Sequence, residues 1–218
     1  MAANSTNPKR SKAAFAAVVI IVAAVSTLAI VSKLTPTSQS PAQQTKTQPE
    51  NTITETSAVP RTPTLAEIAR AATTWEPAFN SWYGRAVSNF AVQDLDGKTH
   101  RLSDYRGKNI MVVLWATWCP PCQYEVPHLI ELRKQISIDK LVILALSAES
   151  PQLLKQFVAA QKINYTVASI INTPLPTPFS LVSAIPSSFF INPEGNVKFA
   201  AEGPLALAEA KAVLQAER

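Results

Sequence analysis

The chain has 218 residues, 47% of them apolar, with 20 lysines and arginines against 15 acids; that length allows one ordinary domain with sequence to spare, or two small ones. Six basic residues against two acids precede Thr64, whereas fourteen stand against thirteen from Thr64 onward. The folded part is therefore close to neutral, which excludes a nucleic-acid-binding body with basic residues clustered on the domain itself.

Residues 1–12 carry Lys9, Arg10 and Lys12 and read as a short cytoplasmic N-terminus. Residues 13–31 contain no charge and are built from Ala, Val, Ile and Leu with a few small polar residues. A helix of about 19 residues reaches roughly 28 Å, close to the hydrocarbon thickness of a bilayer. With three cations before the span and only Lys33 directly after it, the positive-inside rule leaves the N-terminus in the cytoplasm and exports the rest. A cleaved signal would export the domain equally, but the run is long for one and no A-x-A site closes it. Residues 32–62 turn to Thr, Ser, Pro and Gln, too few large apolar side chains to offset ordering entropy, so they read as a disordered tether. As a flexible coil it reaches on the order of 30 Å.

Residues 63–85 are expected to form an N-terminal helical extension. Thr64 and Glu67 have capping-box spacing, and Leu65, Ile68, Ala69, Ala72 and Trp75 recur at helical intervals before Pro77. From residue 86 the pattern changes. Phe90 to Gln93 and Thr99 to Leu102 flank Asp94-Leu95-Asp96-Gly97-Lys98, a β-hairpin closed around a glycine turn. Asn109 to Trp115 is a continuous apolar run, the signature of a strand buried on both faces. Cys119-Pro120-Pro121-Cys122 follows, then Val126, Leu129, Ile130, Leu132 and Ile136 at helical spacing. Leu141 to Leu146 reads as a second buried strand, and Ser150-Pro151 opens a helix carrying Leu153, Leu154, Phe157 and Val158. This βαβα order implies a parallel pair with a right-handed crossover. Ser187 to Ile191 and Val197 to Ala200, joined by Asn192-Pro193-Glu194-Gly195-Asn196, form an antiparallel hairpin, and Pro204 to Gln215 a last helix.

The chemistry sits where the first buried strand meets its helix. A thiol-disulfide exchanger needs a thiolate that attacks near neutral pH and a second thiol to resolve the mixed disulfide. At a helix N-terminus the unpaired N–H groups and the dipole favour negative charge on sulfur, which makes Cys119 the nucleophile and Cys122, one turn on, the resolving thiol. Pro120 and Pro121 are tolerated in a first turn and stiffen it. An inert disulfide closing so small a loop would constrain the unfolded chain little. Half of a zinc site would need His100 and His128 to complete it, because the chain has no further cysteine.

Val112 to Cys122 with Glu125-Val126-Pro127, together with Asp96-Gly97-Lys98, Leu102 to Lys108 and Pro186 to Ile191 in that order, resembles the TlpA/ResA-like group of thioredoxin-fold proteins. The resemblance covers the chain from about Val87 to its end. It implies an α/β thioredoxin-like fold over residues 86–218, with a mixed central sheet flanked by helices, behind the transmembrane helix and disordered linker. It also implies a protein thiol-disulfide oxidoreductase on the bacterial inner membrane, working in the periplasm or equivalent extracytoplasmic space as a reductant, for example in cytochrome c maturation. No cofactor or metal is implied beyond the Cys119–Cys122 pair. The partners implied are an extracytoplasmic protein with a disulfide or thiol pair and a membrane electron donor. Ile185-Pro186 matches the cis-proline loop that, with Trp118, Pro120 and Pro121, faces the substrate. Glu125 matches a buried acid that tunes the cysteines and relays protons, and Pro127 a helix-kinking proline. Val113 stands where thioredoxin has a buried Asp, so proton management falls to Glu125. Asn192 stands where many relatives have Asp, and Ser183-Ala184 precede the proline in place of a commoner pair such as Tyr-Gly. A thiol peroxidase or a copper-binding assembly factor on the same fold are the rivals. The first wants Thr where Ala116 stands, and the second wants C-x-x-x-C.

Overall fold

The computed structural model describes residues 61–216; the proposed anchor at 13–31 and nearly all of the tether at 32–62 lie outside them. Among the described residues no helix is long and apolar enough to cross a membrane.

Thr64 caps α1, Leu65–Ala71, through the expected reciprocal bonds with Glu67. Arg61 and the Thr64 bonds hold the Glu67 carboxyl down near 2. The helix does not continue to Trp75, however. Ala72 is already extended, and the β-branched Thr73 and Thr74 add little helical preference. Trp75 is nonetheless buried, edge-on against Phe199 with ring centroids 5.6 Å apart, because the chain there runs extended into strand β1, Glu76–Pro77. Gly203, at φ +106°, permits this approach: a Cβ there would lie 2.5 Å from the Thr74 carbonyl oxygen.

A six-stranded sheet carries the domain, in the order β1-β8-β7-β4-β5-β6. Its centre is β4, Asn109–Leu114, parallel to β5, Leu141–Ser147, and antiparallel to β7, Ser187–Ile191. Strand β8, Val197–Glu202, pairs with both β7 and β1, while β6, Thr166–Ser169, lies parallel to β5 on the far edge. The parallel connections run through α2, Pro120–Gln135, and α3, Pro151–Gln161. Strand β6 was not anticipated.

Alternation along β4 and β5 divides the core as the period of a pleated strand requires. Met111, Val113, Ile143 and Ala145 face Val126, Leu129 and Leu132 of α2 and Ala210 and Val213 of α4, Leu207–Gln215. Ile110, Val112, Leu144 and Leu146 face the opposite cluster, with Phe90, Val92, Phe179 and Phe189. Helices α2 and α4 cover one face, and the small hairpin β2, Ala91–Gln93, with β3, Thr99–Arg101, covers part of the other.

His100 of β3, only 6% exposed, fixes that hairpin. Its Nε2 lies 2.7 Å from Asp94 Oδ2, and its Nδ1 bonds the Tyr105 hydroxyl. Asp94 Oδ1 accepts the Asp96 and Lys98 N–H groups at 2.9 Å each. Burial pushes the Asp94 carboxyl up, but the His100 bond and these N–H bonds outweigh it and hold it below the usual range. His100→Ala strands two polar groups, and a loss of about 1–3 kcal/mol is expected. Urea unfolding checks it; an unchanged midpoint would mean the network contributes nothing to stability.

Candidate active site

Strand β4 ends at Leu114, and Cys119 is the N-cap of α2. Pro120 and Pro121 occupy the first helical positions, where no intrahelical N–H is required. The Cys122 N–H donates to Cys119 Sγ at 3.2 Å, the bond a capping side chain accepts. The two cysteines form a disulfide with Cα atoms 5.2 Å apart. Their residues are only 3% and 2% exposed, whereas Trp118 beside them is 70% exposed. Pro127 lies inside α2 on its outer side, and the helix runs past it to Gln135.

The Ile185–Pro186 peptide bond is cis, as the resemblance implied, and the Ile185 carbonyl oxygen lies 3.7 Å from Cys119 Sγ. Thr177–Pro178 is also cis. Pro186 is buried beneath this loop, and its own carbonyl accepts the Gly203 N–H at 2.9 Å. Trp118, Pro120 and Pro121 are exposed around the disulfide. All the anticipated site residues are thus at one end of the sheet, at the carboxyl ends of β4 and β5.

Glu125 is 1% exposed, one turn beyond Cys122 on the face of α2 that meets the sheet. Its Oε1 lies 3.4 Å from the donating Ser188 Oγ and 3.4 Å from the donating Leu205 N–H. Its Oε2 is buried without a partner. Burial pushes the carboxyl up to about 8, against the smaller opposing effect of those two bonds. At neutral pH, beside the disulfide, Glu125 is therefore mostly a neutral acid.

One acid escaped the sequence reading. Glu149, just past β5, accepts the Thr117 N–H at 2.7 Å, the Thr117 hydroxyl at 2.6 Å and the Ser147 hydroxyl at 2.9 Å. It ties the end of β5 to the turn that carries Cys119. The available signal was its place directly after a buried parallel strand, where functional loops gather. Between these elements opens a groove of about 540 Å³, lined by Trp118, Glu149, Leu175, Phe179, Val182 and Ile185 among others. Leu175 belongs to the proline-rich stretch 172–178, whose role the sequence did not reveal. Leu181, between the groove-lining Ser180 and Val182, and Tyr124, two residues past Cys122, are exposed.

This arrangement can do one kind of chemistry well. A sulfur at a helix N-terminus is stabilised as thiolate, by about 0.3–1 kcal/mol at exposed ends and up to about 2 in partly buried ones. A second sulfur is already within bonding distance, an acid stands behind it, and a carbonyl and an apolar groove border the first.

Comparison with known proteins agrees with this. The model of the AhpC/TSA family matches residues 83–200. The thiol-disulfide oxidoreductase ResA of a Bacillus cereus strain is 35% identical over 115 residues, 52% of this chain and 66% of that protein. ResA of Bacillus subtilis (strain 168) is 32% identical over 115 residues, 52% and 64% of the two chains. The match thus spans just under two thirds of these relatives' length. Among solved structures, StoA from Bacillus subtilis superposes with a TM-score of 0.53 at 20% identity, over 60% of this chain and 98% of its own. The exposed lipoprotein thioredoxin Etrx1 of Streptococcus pneumoniae strain TIGR4 gives 0.50 at 27%, over 59% and 98%. The fold is thioredoxin-like α/β.

Proposed function

The chain belongs to the AhpC/TSA family, and from that premise we propose that it is a protein thiol-disulfide oxidoreductase of the ResA type. The observation that carries the reading is Cys119 at the N-cap of α2, bonded to Cys122 and facing the Ile185 carbonyl at the edge of an apolar groove. In the reducing direction Cys119 thiolate attacks a substrate disulfide, one substrate sulfur leaves, and a mixed disulfide forms. Glu125, neutral at rest, first releases its own proton toward solvent and then takes the proton of Cys122 as Cys122 attacks Cys119 Sγ; the second substrate sulfur leaves and takes a proton from solvent. The substrate gains two electrons and the dithiol becomes the disulfide present here. Recharging reverses these steps, with Glu125 as acid to the departing Cys122.

An extended substrate segment lies along the Ile185-Pro186 loop, with Trp118, Pro120 and Pro121 beside it. From Ile163 to Pro193 the sequence has no Asp, Glu, Lys, Arg or His, which supports recognition by apolar and backbone contacts. The charge-free run at 13–31 behind three cations supports anchoring in the bacterial inner membrane with the domain outside the cytoplasm. The partners in this reading are an extracytoplasmic protein with a disulfide or thiol pair, such as a cytochrome c precursor, and a membrane electron donor that keeps the pair reduced. Peroxidase chemistry is the weaker reading, because Ala116 stands where a peroxidatic Thr is wanted. The test is turnover: the full chain with dithiothreitol should reduce insulin disulfides well above the dithiothreitol background, and turnover no faster than background would overturn the proposal.

A further inference from the structure

Glu125 is sealed, yet the cycle requires it to exchange a proton with solvent each time Cys122 changes state. A small cavity adjoins it, about 10 Å³, lined by Trp115, Cys122, Glu125 and Tyr165 with apolar neighbours. Such a volume admits one water at most. Two of its residues also line an opening to the exterior. Trp115 reaches the substrate groove, and Tyr165 reaches a surface pocket of about 310 Å³ bordered by the hairpin turn, Arg133 of α2 and residues of β5 and β6. The two differ chemically. An indole N–H only donates, so Trp115 cannot pass a proton on, whereas a phenol hydroxyl accepts one and donates another.

We propose that Tyr165 is the proton conduit of this enzyme, carrying protons between Glu125 and water in the surface pocket. The inference rests on the reading of Glu125 as the proton donor to Cys122. When Cys122 leaves as thiolate it takes the Glu125 proton. The two side chains share the small cavity without a direct hydrogen bond, so the carboxylate takes the Tyr165 hydroxyl proton over the single water, while the phenol oxygen accepts one from the pocket. The tyrosine ends neutral, and no net charge stays in the core. Burial and the nearby Glu125 charge push the Tyr165 hydroxyl well up, so it serves as a shuttle without resting as phenolate. The ionisable groups around the route are Cys122 and Glu125 on the inner side, with Arg133 of α2 and Asp94 and Asp96 of the hairpin turn at the outer pocket.

Tyr165→Phe keeps the ring and removes the relay. Reduction of the full chain's disulfide by dithiothreitol at pH 7, followed by stopped-flow fluorescence, should slow about tenfold, less than the roughly hundredfold floor for a group that transfers the proton at the reacting atoms. The solvent deuterium isotope effect should rise, because proton delivery becomes limiting. Glu125→Gln should also slow the step, and adding Tyr165→Phe to it should cost nothing further. Wild-type kinetics in Tyr165→Phe while Glu125→Gln is slow would overturn the conduit alone, as would a slower rate with an unchanged isotope effect. An unaffected Glu125→Gln would instead remove the reading beneath it, and the conduit with it.

Discussion

Cys119→Ser reduces insulin turnover to the dithiothreitol background while the domain stays folded. Serine is among the best N-cap residues, so the hydroxyl takes over the bond that Cys119 Sγ accepts from the Cys122 N–H, and α2 keeps its start. Losing the disulfide costs little, because closing so short a loop is worth roughly 2 kcal/mol of unfolded-state entropy. Chemistry suffers far more. An alcohol has no appreciable alkoxide at neutral pH and forms no stable bond to sulfur, so neither the attack nor the mixed disulfide survives. Turnover assays beside thermal unfolding separate the two effects. Residual catalysis in a folded Cys119→Ser variant would move the nucleophile to another residue.

The second large effect belongs to Glu125 and appears in stability as well as rate. With its carboxyl at about 8 in the oxidised fold against an ordinary 4.5, the native state holds a proton that the unfolded chain releases. Between those values the folded protein binds more protons, so stability falls as pH rises. The penalty is absent below about pH 4.5 and complete above about pH 8, where it reaches roughly 4–5 kcal/mol at most. Glu125→Gln, a neutral side chain of nearly the same shape, should lie within about 1 kcal/mol of the parent at pH 5 and exceed it by several kcal/mol at pH 9. Denaturant unfolding of the oxidised chain at pH 5, 7 and 9 measures this. Parallel stability curves for the two proteins would mean that Glu125 is not held neutral by the fold.

The features carried by local pattern were legible in the sequence. The apolar run at Asn109, the Gly97 hairpin, the Thr64 capping box and the Cys119 N-cap each depend on neighbours a few residues away. Strand β6 was missed because Thr166-Val167-Ala168-Ser169 is short and half polar. Its identity comes from lying beside β5, which is a tertiary choice. Strand β1 is two residues long and includes a proline, tolerable only because it is an edge. It also joins the segment read as a helical extension, residues 63–85, to the sheet of the main domain. Glu125 illustrates the remaining limit. On burial statistics alone it would be a solvated helix residue, and only the family resemblance pointed inward. Its setting depends on Ser188 and Leu205, residues 63 and 80 positions away. Glu149 likewise acquires a role only because β4 and β5 end side by side.

The central claim is that Cys119 exchanges disulfides with a protein partner and that Cys122 resolves the intermediate. Cys122→Ser in the full chain, expressed in its native setting and quenched in acid, tests this by intact mass and peptide mapping. The account predicts a dithiothreitol-sensitive adduct between Cys119 and a cysteine of another protein. A folded, exported Cys122→Ser protein whose Cys119 is recovered entirely as free thiol would contradict it.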